Sequence, residues 1–257
     1  VAVRGCRGPF PALSVANQQP VPFDTNAHGQ LSIDKRSKDA LPGGRFAPLW
    51  LAGIFVLAAA AAVPLDCPIA LWCQTGSLPG DIKDLLNFLE LFGHGLGVLL
   101  IALVIHQLDP GSRWALPRVL TAALGAGLAA NVIKMLVSRV RPLHFDCSSG
   151  VLTSFDGWLP MGRVGSIHQS FPSAHTATAV GLAFVLVWLY PRGRWLFPGL
   201  AVCVALQRVA ISSHFPSDTL CGAALGCVVA TFIMRAGPLP RRFDNWEQGW
   251  RKSKETE

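Results

Sequence analysis

Long apolar runs, broken by short polar segments, fill the chain from residue 46 to residue 236. The first runs from Pro48 to Leu65 (PLWLAGIFVLAAAAAVPL). The second, Leu85 to Leu108, is entered through an amphipathic stretch from Asp81 to Phe92. The third spans Ala115 to Val137, and a polar, Gly-rich stretch from Ser138 to Ser170 follows it. The fourth, fifth and sixth run from His175 to Tyr190, Trp195 to Ser212 and Thr219 to Met234. Each is close to the ~20 residues that cross a bilayer as a helix. The pattern predicts an all-α protein: a six-transmembrane helical bundle with a polar loop between spans three and four. Residues 1–45 and 237–257 read as polar tails, the first disordered and the second basic, on either side of one membrane domain at 46–236.

Composition supports that division. Half of the 257 residues (51%) are hydrophobic and only 14% are charged, against about 25% charged in a soluble domain. Basic residues gather in the N-terminal tail (Lys35, Arg36, Lys38, Arg45) and in two connections (Arg113, Arg118; Arg192, Arg194). More follow in the C-terminal tail (Arg235, Arg241, Arg242, Arg251, Lys252, Lys254). With six spans all four regions share one side, which the positive-inside rule makes cytoplasmic, with both termini there. The net charge of +7 therefore reflects membrane orientation, and nucleic-acid binding is excluded on the usual basic-footprint criteria. The seven Cys show no C-x-x-C spacing. Cys67 and Cys73 fall in the first outer loop, where a disulfide and two free thiols both remain open. Basic residues in the third-to-fourth loop break the charge rule and need a separate cause.

Three clusters sit at the outer span ends. Lys134 and Arg141 lie seven residues apart, two turns on one face if the helix continues, with Ser138 between them. Ser173, Ala174 and His175 open the fourth span as Pro-Ser-Ala-His, a helix N-terminus that presents free N–H groups to an anion. Arg208, His214 and Asp218 straddle the last two spans. A cation inside a span costs about 3 kcal/mol and calls for a partner or a task, and an Asp near a His orients its ring. Singly, each cluster has a plain alternative: a snorkelling cation pair, an N-cap beside an interfacial His, a helix-start Asp beside a surface His. Together they place three cations, without acidic neighbours, around two His at one bundle end. That set calls for a phosphate, whose oxygens take several charge-assisted hydrogen bonds, and argues against a divalent metal.

The ordered motifs K-x6-R-P, P-S-x-H and R-x5-H-x3-D resemble those of the type 2 phosphatidic acid phosphatase superfamily over roughly residues 85–236. The resemblance implies that Lys134, Arg141 and Arg208, with Ser173 and the Ala174 amide, bind phosphate. It implies His175 as general acid, His214 as nucleophile and Asp218 as its orienting partner, with no cofactor and no metal. Ala174 stands where the family usually has Gly, and Gln207 where it often has Ser. The implied activity is metal-independent hydrolysis of a lipid phosphate or pyrophosphate through a phosphohistidine, on the periplasmic or exterior face of the cytoplasmic membrane. Phosphatidate, phosphatidylglycerol phosphate, undecaprenyl pyrophosphate and lipid A phosphates all qualify as substrates. A non-catalytic binder or transporter, a lipid phosphotransferase and a vanadium-dependent haloperoxidase are the alternatives. The last is soluble in the related proteins, which six spans oppose. Oligomeric state is left open.

Overall fold

The computed structural model describes residues 47–76, 79–160, 165–234, 243 and 245–249. The N-terminal tail and most of the C-terminal one therefore lie outside the described residues. Among the described residues, the principal α-helices are α1 (Ala47–Gln74), α2 (Gly80–Leu89), α3 (Gly95–Leu108), α4 (Leu116–Lys134), α5 (Ala174–Leu189), α6 (Leu196–Ala210) and α7 (Pro216–Met234). Helix α5 lies at the centre, against α4, α6 and α7, while α1 packs along α7. The α5–α7 contact is close because Gly222 and Gly226 face it one turn apart. A Cβ on Gly222 would strike the Ser173 carbonyl, and one on Gly226 would lie 2.7 Å from the Ala177 carbonyl oxygen. Small residues at that spacing let helix backbones meet where lipid gives no hydrophobic drive. Large apolar side chains of α1 and α3, among them Leu57, Leu99 and Leu103, point outward and exposed, as lipid-facing helices require.

Length and composition give three helices among the described residues that can each cross a membrane: Leu49–Gln74, Pro110–Lys134 and Pro216–Met234. The second predicted span is not one straight helix. Its arms, Gly80–Gly93 and Gly95–Leu108, meet at 69° and make a fourth span only if taken together. The fourth and fifth predicted spans are the shorter apolar helices α5 and α6, of 16 and 15 residues.

The first span also differs. Pro64 and Pro68 suggest an end near Leu65, since an interior Pro costs a helix about 3 kcal/mol, yet α1 continues through both to Gln74. Its 28 residues are ~42 Å long at 1.5 Å each, more than a ~30 Å hydrocarbon core. The surplus carries Asp66 and Gln74 to the polar loop, where Gln74 Nε2 donates to the Pro142 carbonyl at 2.9 Å. It also puts Cys67 and Cys73 on one helix, not in a loop. Six residues of helix separate them by ~9 Å, too far to bridge, and both are free thiols.

The loop between α4 and α5 adds a small sheet to the all-α expectation. Strands β1 (Val137–Arg139) and β2 (Phe155–Trp158) pair antiparallel, with an irregular register between Ser138 and Arg139. The sheet delivers Arg139 inward. Its guanidinium, fully buried, reaches Asp66 of α1 at 2.8 Å and Asp218 of α7. It also donates to Ser154 Oγ at 3.0 Å and Ser217 Oγ at 2.8 Å, between the rings of Phe155 and Phe215. Asp66 in turn accepts from the Ser217 amide and hydroxyl. Removing one partner of a buried ion pair costs about 3–5 kcal/mol. Asp66→Leu is expected to destabilise the detergent-solubilised protein by about that much and so to lower its thermal midpoint; an unchanged midpoint would show that the cluster does not hold α1 to α7.

Candidate active site

Antiparallel helices bring alternate ends together, so the C-termini of α4 and α6 meet the N-termini of α5 and α7. Lys134 closes α4, Ser173 caps α5, Arg208 lies in the last turn of α6 and Asp218 in the first turn of α7. Lys134, Arg208 and His214 are buried, and Arg141 is half-buried. Ser173 Oγ accepts from the Thr176 amide at 3.4 Å and from its hydroxyl at 3.0 Å. This leaves Ala174 and His175, half-buried, at the open end of α5. The Lys134–Arg141 approach has a different cause from the one expected. Helix α4 stops at Lys134, and the chain turns through β1, with the Arg141 amide bonded to the Ile167 carbonyl at 2.8 Å. Ser138 faces away from the cluster, donating to Asp156 at 2.5 Å.

His214 lies on the turn between α6 and α7, its amide bonded to the Arg208 carbonyl at 3.2 Å. Its Nδ1 stands 2.6 Å from the Ser170 carbonyl oxygen and 4.0 Å from Asp218 Oδ2. The Nδ1–H therefore donates to Ser170, which leaves the Nε2 lone pair free. Asp218 does not hold the ring directly. Its carboxylate accepts from Arg139, from Ser170 Oγ at 2.6 Å and from the Phe215 amide at 2.9 Å, so it fixes Ser170, which fixes His214. Burial, and then the charges of Lys134, Arg141 and Arg208, hold the His214 ring well below the ordinary imidazole pKa. A neutral, oriented imidazole with one bare nitrogen among cations is equipped for attack on an anionic electrophile.

Two features lie outside the sequence expectations. Glu90, in the turn between α2 and α3, stands 2.9 Å from Arg208 Nη1 and 3.3 Å from His175 Nε2, so the cations do have an acidic neighbour. Gln207 donates to Glu90 at 3.0 Å and Asn87 at 2.9 Å while accepting from Arg208 Nε at 2.8 Å. The second feature is the Arg139 cluster. In the sequence Arg139 reads as one more basic residue of the third-to-fourth loop. Asp66 carried a signal, an acid inside an otherwise apolar run, hidden by the prolines beside it. A cavity of about 510 Å³, lined by Gly93, Gly95, Leu124, Leu128 and Asn131, opens at His175.

The sequence pattern described as the PAP2 superfamily matches residues 115–241. The chain is 27% identical to a lipid A 1-phosphatase of Rhizobium etli over 197 residues, 69% of this chain and 80% of that one. It is 32% identical to a decaprenylphosphoryl-5-phosphoribose phosphatase of Mycobacterium tuberculosis, over 62% of this chain and 82% of that protein. Its fold is similar to the crystal structure of a transmembrane PAP2-type phosphatidylglycerolphosphate phosphatase from Bacillus subtilis, at a TM-score of 0.51 and 20% identity. That likeness covers 73% of this chain and 94% of the other.

His214 binds a proton more weakly folded than unfolded, so unfolding takes up a proton once the pH drops below the unfolded value of ~6.5. Stability should therefore fall as the pH falls through that value. His214→Gln should flatten this fall in denaturant unfolding measured at several pH values; an equal pH dependence in both proteins would contradict a neutral His214.

Proposed function

The chain belongs to the PAP2 superfamily, and from that premise we propose that its site works as follows. It is a multi-pass membrane protein and a metal-independent phosphatase acting on a lipid phosphate. The phosphoryl group is bound by Lys134, Arg141 and Arg208, with the Ser173–Ala174 end of α5. His214 Nε2 attacks phosphorus in line, and Ser170, fixed by Asp218, holds its Nδ1–H. His175 protonates the leaving oxygen. Water, deprotonated by the now neutral His175, then cleaves the phosphohistidine and restores both rings. The cations stabilise charge on the equatorial oxygens, usually a large term in phosphoryl transfer.

The observation that carries this reading is Arg141 Nε. Among the described residues it is the buried side-chain polar atom without a hydrogen-bond partner. Such a donor costs about 1–3 kcal/mol unless something accepts from it, and it stands with two further cations beside a bare histidine nitrogen. A phosphate oxygen answers all of these at once. The cavity at His175, walled by Leu124, Leu128 and glycines, suits a substrate with an apolar body beside its phosphate. A pure anion carrier has no need of an oriented, neutral histidine.

The six-span topology, with cytoplasmic termini and an outward-facing site, is part of this proposal. So is the choice of lipid. Likeness to lipid A 1-phosphatases extends over 80% of one and 93% of another, so the 1-phosphate of lipid A is the first substrate to try. Phosphatidate, phosphatidylglycerol phosphate and undecaprenyl pyrophosphate complete the panel. With chelator present, the purified protein should release phosphate from at least one of them. His214→Ala should abolish that release while the protein still purifies as a folded monodisperse species. Near-normal release from this variant would remove His214 from the mechanism. Arg141→Met should lower kcat by about 10²–10³, the usual loss for one transition-state donor.

A further inference from the structure

Glu90 is a carboxylate that the proposed mechanism leaves without a task. It is half-buried, with its side chain 25% exposed, in the turn that breaks the second apolar run. Two features fix it there. Gly93, one turn on, has no room for a side chain: a Cβ would lie 2.6 Å from the His175 carbonyl oxygen and 2.7 Å from Val204. The turn thus presses on the α5 N-terminus. Gln207 then holds one Glu90 oxygen at 3.0 Å, leaving the other, Oε1, to face both Arg208 and His175.

Charge gives the arrangement its meaning. A general acid must carry its proton when the substrate arrives. His175 is faced by Arg208, with Nη1 at 3.4 Å from Nδ1, by His94 at 5.7 Å between rings, and by Lys134 and Arg141. A second proton on its ring meets positive charge from α4, α6 and the loop. Among the described residues, Glu90 is the carboxylate within 4 Å of it. At 3.3 Å the contact is longer than the 2.7–2.9 Å of a charge-assisted hydrogen bond, so Glu90 balances charge without taking the Nε2–H away from a leaving group. In the free protein Glu90 is shared with Arg208. A phosphate that engages Arg208 takes over that claim and leaves the carboxylate to His175.

We propose that Glu90 is a positioning residue for the general acid, the counter-charge that lets His175 enter the reaction protonated. The inference rests on the phosphatase reading above. In the step it supports, the His214 Nε2–phosphorus bond forms as the phosphorus–oxygen bond breaks. The His175 Nε2 proton passes to the departing oxygen, the alcohol leaves neutral, His175 is left neutral, and Glu90 stays a carboxylate throughout.

Leaving-group dependence tests it, because an acid matters only where the leaving oxygen needs a proton. Wild type, Glu90→Gln, Glu90→Asp and His175→Ala would be compared on a lipid monophosphate and on 4-nitrophenyl phosphate, whose phenolate departs unprotonated. Glu90→Gln should lose about 10²-fold in kcat on the lipid, within the range of acid–base contributions, and little on the aryl ester. Glu90→Asp should recover part of the loss, and His175→Ala should show the same split, more deeply. Equal losses of Glu90→Gln on both substrates, or none on the lipid, would overturn the role of Glu90 alone. No leaving-group split in His175→Ala would instead overturn the general-acid reading, and with it this inference.

Discussion

A guanidinium shut away from water must have every charge and donor answered on the spot. Arg139 meets that demand with Asp66, Asp218, Ser154 and Ser217, and those partners come from α1, the loop and α7. The distal half of α1, the strand pair and the start of α7 are therefore mutually fixed. The same residue aligns the site through its backbone, since its carbonyl accepts from the Ser170 amide at 3.0 Å and Ser170 in turn accepts from His214. One arginine thus sets both the carboxylate and the carbonyl on which the His214 ring depends.

That linkage changes the usual histidine–aspartate logic. An Asp in direct contact would stabilise a protonated ring as well as orient it. Here the ring meets a carbonyl, which orients without full negative charge, and Asp218 already shares its charge with Arg139. The cations around His214 oppose its protonation further. The geometry favours a ring that begins neutral and spends its lone pair on an electrophile, rather than one that stores a proton. In the proposed mechanism proton storage falls to His175, at the half-buried end of α5 and 3.3 Å from the carboxylate of Glu90.

Much of this was legible in the sequence, for definable reasons. Apolar runs and positive-inside charge suffice to mark a membrane bundle, and Ser173 is a recognisable helix cap because capping is local chemistry. Lys134, Arg141, Arg208 and His214 stand out because charge is rare among apolar residues. Three things were not legible. The first apolar run closes at Leu65 on hydropathy alone, which carries no knowledge of the tertiary contacts that keep α1 helical to Gln74. Asp66 therefore reads as loop, 73 residues from the arginine it pairs with. The sheet of β1 and β2 is too short for alternation to reveal, so Arg139 read as loop charge and the Lys134–Arg141 spacing as a helix face.

The break in the second apolar run shows the same lesson from the other side. A glycine within an apolar helix reads as a weak point. At Gly93 it is instead a contact, since the His175 carbonyl and Val204 occupy the space a side chain would need. The 69° bend brings Glu90 to the open end of α5, where Gln207 can hold it. The larger Gln207 side chain, where the family often has Ser, is what spans from Arg208 to Glu90 and Asn87; a serine there is too short to touch all three. Gln207 and the bend therefore belong to one device, which sets a carboxylate against Arg208 and His175.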